Sequence, residues 1–98
     1  MSEPVVHEID DSRGHYSHMF FCEACGCGHG FNSKYDRSPR WTFNNDLVKP
    51  TLQPSVLCSY QHGDVHKVCH SFVTDGKIKY LADCTHSLAG QTVDLKPF

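Results

Sequence analysis

Six cysteines and eight histidines in 98 residues decide how this chain can hold itself together. A chain this short forms one domain with a thin core, and such domains often make up the deficit with disulfides or a bound metal. Spacing separates the two solutions. Cys22 and Cys25 form a CxxC followed directly by Gly26. Two thiolates at that spacing grip one ion, and the glycine lets the backbone turn beneath it. The start, MSEPVVHEIDDSRGH, is polar and acidic and lacks the apolar run of a secretory leader. No stretch approaches the length needed to cross a bilayer. The expectation is a cytoplasmic protein, in a compartment where clustered cysteines mean metal more often than disulfide.

Residues 1–14 read as a flexible N-terminal arm, and residues 15–98 as a single zinc-stabilised β domain. HYSHMFFC runs as a strand into the knuckle. Trp41 and Phe43 alternate with Thr42 and Asn44, the period of a half-buried strand. Pro50 and Pro54 keep their segment out of a central strand. Ser55–Tyr60 reads as a strand and QHGD at 61–64 as a turn. HKVCHSFV, TDGK and IKYLADC form a β-hairpin about Asp75-Gly76. Residues 85–89 allow one helical turn, and Thr92–Leu95 a last edge strand. The predicted fold is mainly β: a small antiparallel sheet with a zinc knuckle, zinc-ribbon-like, and at most one short helical turn.

The hairpin register points to the remaining metal ligands. With Asp75 and Gly76 central in the turn, Val73 pairs with Ile78 and Ser71 with Tyr80. Cys69 and Cys84 then share the inner, apolar face. Zinc takes four ligands in a tetrahedron. The expected set is Cys22, Cys25, Cys69 and one of Cys84 or His86; spacing does not choose between the last two. Cys27 and His29 extend the knuckle, and either can replace a ligand or stand behind one. Cys58 reads as core.

The outer hairpin face carries His70 and Asp83. A histidine beside a carboxylate can act as an oriented general base, or join His29 or His86 around a hydrolytic metal. The plainer reading has Asp83 capping the following turn and His70 bonding to backbone. Ser71 and Ser87 lie in no nucleophile motif, so the sequence names no catalytic residue.

The segments FFCEACGCGHGF, WTFNNDLVKPTLQPSVL and CHSFVTDGKIKYLADCTHSLAGQTVDLKPF resemble a family of small phage and prophage proteins of unknown function. Some of its members carry the label ammonia monooxygenase. The resemblance runs from about His18 to Phe98. By resemblance, the matching positions are Cys22, Cys25, His29, Trp41, Pro50, Pro54, Cys69, His70, Asp83, His86 and Gly90. It implies that the two Cys/His clusters form one site. A copper oxygenase finds no footing, since thiolates suit zinc better.

Three functions follow. The first is a phage-type accessory protein with structural zinc, acting in the host cytoplasm by binding a host or phage protein. The second is a small zinc hydrolase using His29, His70, Asp83 and His86. The third is a nucleic-acid-binding zinc ribbon. A net charge of −2, with nine basic and eleven acidic residues and no basic run, counts against the third.

Overall fold

A computed structural model describes residues 3–98. Nine antiparallel strands form three sheets, and no helix occurs among the described residues. The first sheet joins β1 (Val6–Glu8), β2 (His18–Cys22) and β3 (Cys27–Phe31). The second is a short pair, β4 (Thr42–Phe43) with β5 (Leu52–Gln53). The third, in the order β6-β7-β8-β9, joins β6 (Val56–His62), β7 (Val65–Thr74), β8 (Lys77–Tyr80) and β9 (Thr92–Asp94). The mainly-β antiparallel fold is the one expected from the sequence. Residues 85–89 form turns without a helix.

Strand β1 lies within the segment read as an arm. Val5 and Val6 are buried, and both their amides donate to the Leu47 carbonyl. Two adjacent valines show no alternation, which hides such a strand from a periodicity reading.

The long hairpin of β7 and β8 has the expected register, with Val73 opposite Ile78 and Ser71 opposite Tyr80. Asp75 (φ 50°) and Gly76 (φ 78°) both adopt positive φ, as a two-residue hairpin turn of matching twist demands. A Cβ on Gly76 would stand 3.2 Å from the Lys49 Cα and 3.3 Å from the Val48 carbonyl oxygen. Only glycine therefore lets this turn dock on the 48–51 loop, where its amide donates to the Pro50 carbonyl.

Alternation along β7 separates two chemistries. Cys69, Ser71 and Val73 are buried, whereas Phe72 and Thr74 are exposed and His70 is partly so. The buried face meets Phe20, Phe31, Leu52, Ile78 and Tyr80 in one core. Trp41 and Phe43 pack against that core.

Candidate functional site

The inner face of β7 carries the cysteine site. The β2–β3 hairpin pairs Cys22 with Cys27, and Gly26, at φ 68°, closes its turn by donating to the Cys22 carbonyl. This bend directs Cys22 and Cys25 toward Cys69. The ligand atoms of Cys22, Cys25, His29 and Cys69 all lie within 4.8 Å of one another. Those of Cys69, Cys84 and His86 form a second such group, sharing Cys69. Cys22, Cys25 and both alternatives for the fourth position, Cys84 and His86, thus come close to Cys69, and so does His29. None of the six cysteines forms a disulfide.

The arrangement can hold a metal ion. The Cys22 and Cys69 sulfurs are 3.9 Å apart. A disulfide needs about 2.05 Å. The edge of a tetrahedron with metal–sulfur bonds of about 2.3 Å is about 3.8 Å. The Nε2 atom of His29 is buried without a hydrogen-bond partner, an arrangement that native interiors avoid unless something else satisfies the atom.

The thiols compete for protons. A hydrogen bond from Cys69 holds the Cys22 thiol down at about 3 against the burial that raises it, and the Tyr80 hydroxyl, 3.2 Å away, adds to the lowering. The Cys22 hydrogen bond and burial together push Cys69 up, and burial first, then the Cys22 charge, pushes Cys25 up to about 12. One thiolate opposes the next until a cation compensates them.

The outer face holds a different constellation. Ser55 lies just before β6, and its Oγ donates to His70 Nε2 at 2.8 Å. His70 Nδ1 in turn donates to Asp83 Oδ2 at 3.0 Å. A carboxylate only accepts, so His70 carries its proton on Nδ1, and its Nε2 lone pair accepts from the serine hydroxyl.

Each member is held by the fold. The Trp41 indole Nε1 donates to the Ser55 carbonyl at 3.2 Å. His70 sits mid-strand, opposite Leu57. Residues 81–85 run alongside β7, with the Leu81 amide donating to the His70 carbonyl and the Thr85 amide to that of Val68. Between them the Cys84 thiol accepts from the His70 amide at 3.2 Å and donates to the His70 carbonyl at 3.1 Å. That clamp sets Asp83 beside the imidazole.

The sequence profile of one family, described as the bacterial ubiquitination-like system serine protease BubE, matches residues 2–81. The chain belongs to the BubE family. No curated protein and no solved structure matches it significantly. The matched span includes Ser55 and His70 and ends two residues before Asp83.

In this BubE-family chain, the sequence reading paired His70 with Asp83 but missed Ser55. The signal was present in the β6–β7 turn. With Gly63 and Asp64 central, His62 pairs with Val65 and Leu57 with His70, which leaves Ser55 diagonal to the histidine. His18 is buried, with Ser17 Oγ 2.7 Å from its Nδ1. His70 and Asp83 belong to neither metal-ligating group. Chemically, a serine hydroxyl bonded to an imidazole that is itself oriented by a carboxylate can attack an acyl carbon while the imidazole takes its proton.

Proposed function

We propose that this chain is a serine hydrolase that cleaves acyl bonds made by a ubiquitin-like protein in a bacterial ubiquitination-like system. One observation carries the reading: the unbroken hydrogen-bond chain Ser55–His70–Asp83, at 2.8 and 3.0 Å. Ser55 is the nucleophile. His70 is the general base that later protonates the leaving group, and Asp83 holds the imidazole in the required tautomer. The family's description as a serine protease supports this assignment of roles. The partner is then a protein, the ubiquitin-like modifier with whatever it is joined to, and the reaction belongs in the cytoplasm. A phage or prophage origin accords with this reading and does not carry it.

The metal has a separate task. Cys22, Cys25, His29 and Cys69 would hold zinc, whose preferred donors are thiolate and imidazole. Four protein ligands close the shell, and a closed shell is structural. The ion would tie the β2–β3 hairpin to β7. Cys84 is engaged through its thiol proton with the His70 carbonyl. His86 accepts the Leu88 amide on Nδ1 at 3.2 Å, which leaves the proton on Nε2 and no lone pair there for a metal. His29 stands with the cysteines and His70 with Ser55, which disfavours a hydrolytic ion shared by His29, His70, Asp83 and His86.

The test uses the ubiquitin-like protein extended at its C-terminus by a fusion partner. The wild-type chain should cleave the fusion, and a fluorophosphonate should label Ser55, located by mass spectrometry. Ser55→Ala and His70→Gln should abolish cleavage with the fold retained by circular dichroism. Cleavage by Ser55→Ala at the wild-type rate would end the proposal.

A further inference from the structure

The serine is one corner of a square of four side chains. Leu57 stands opposite His70 and Val56 opposite Ser71, so one step further Ser55 faces Phe72. Opposite residues share a sheet face, and faces alternate along each strand. Ser55, Leu57, His70 and Phe72 therefore all lie outward. One diagonal of the square is the Ser55–His70 hydrogen bond. The other joins Leu57 and Phe72, which are 59% and 41% exposed. Beyond Phe72 the surface continues as a shallow groove of about 440 Å³, which Thr74, Lys79 and Thr92 also line.

We infer that Leu57 and Phe72 are the acyl subsite of this hydrolase, which selects substrates carrying an apolar group beside the scissile carbonyl. This rests on the Ser55–His70–Asp83 reading. Attack requires the carbonyl carbon within about 3.5 Å of the Ser55 oxygen. With the leaving group turned toward His70, which protonates it, the group on the other side of that carbon has Leu57 and Phe72 as its nearest apolar surface. Neither side chain offers a hydrogen bond, so a polar group seated there loses water without compensation, whereas an apolar group gains by covering them. The subsite accounts for two large apolar side chains left in water beside a polar triad.

The probes are the p-nitrophenyl esters of acetate and hexanoate. In the reaction, Ser55 Oγ forms a bond to the acyl carbon, His70 takes the Oγ proton, and the bond to p-nitrophenolate breaks. His70 then gives that proton up to the departing phenolate or to solvent, which restores it as a base. Water then attacks the acyl-serine, gives its proton to His70, and releases the carboxylic acid while Oγ regains a proton. Subtracting the rate of Ser55→Ala removes any reaction with thiols. A fully covered methylene is worth roughly fourfold, so four partly covered ones predict a hexanoyl preference of about tenfold or more in kcat/KM. Leu57→Ser and Phe72→Ser should each reduce that ratio severalfold, and the double variant should bring it to within about twofold of unity. Thermal melts confirm that the variants fold. A flat ratio in the wild type, or an unchanged ratio in the double variant, would overturn the subsite and leave the triad standing. Identical rates for wild type and Ser55→Ala on both esters would overturn the triad and the subsite with it.

Discussion

Asp83→Asn tests how much the carboxylate contributes to the triad. The substitution preserves shape and removes the charge 3.0 Å from His70 Nδ1. When Ser55 attacks, the imidazole becomes cationic, and the lost attraction is the quantity to estimate. At 3.0 Å it is about 1.4 kcal/mol in a water-like dielectric and about 5.5 kcal/mol at an effective value near 20. The Asp83 side chain is 58% exposed and that of His70 24% exposed. Solvent screening therefore places the effect between these bounds, at about 3 kcal/mol. That corresponds to a loss of about 100-fold in kcat, smaller than the roughly 10⁴-fold loss expected where the triad aspartate is buried. The assay is cleavage of the modifier fusion under saturating conditions, with melting measured in parallel. The loss should fall on kcat, with KM and melting temperature nearly unchanged, because an exposed substitution costs little stability. A loss below threefold would refute the assignment of Asp83 as the orienting group. A loss matched by unfolding would show Asp83 to be a structural cap.

Three further outcomes are expected. Prolonged chelation, or Cys69→Ser, should release metal and lower the melting temperature sharply, because structural zinc contributes on the order of 10 kcal/mol; metal analysis and calorimetry check this. Trp41→Phe removes the donor to the Ser55 carbonyl; it should cost about 1 kcal/mol of stability and slow fluorophosphonate labelling of Ser55. Burial, opposed by Glu8 and aided by Lys34, holds His18 below its ordinary 6.5. The unfolded chain therefore binds that proton first, and the His18 contribution to stability is complete above pH 6.5 and declines as pH falls below it. Denaturant titrations of His18→Gln should show a weaker decline than wild type between pH 6.5 and 5; parallel curves would refute the reading.

Much of the architecture is written in local pattern. Asp75-Gly76 between two alternating runs specifies a tight turn, since few residues other than glycine accept positive φ there. That turn sets which residues of β7 face inward, so Cys69 could be placed with the knuckle from spacing alone. Strand β1 escaped because its burial depends on the Leu47 loop arriving from elsewhere in the chain. His29 was only one of several choices, because a tetrahedron constrains distances in space and leaves sequence separation free.

The triad depended on assembly. Ser, His and Asp follow one another in an order that no common nucleophile motif shares, and none of the three sits in a sequence signature. Periodicity reports whether a side chain faces the core or water. Whether three outward polar groups meet depends on the register of β6 against β7 and on the path of residues 81–85, which the Cys84 contacts to His70 hold in place. Residue type and spacing determined the turns, the inner face and the cysteine cluster, because each follows from short-range stereochemistry. Only the packed sheet decided that a serine beside a proline, a mid-strand histidine and a turn aspartate share their protons, because hydrogen bonds require ångström proximity that no linear pattern encodes.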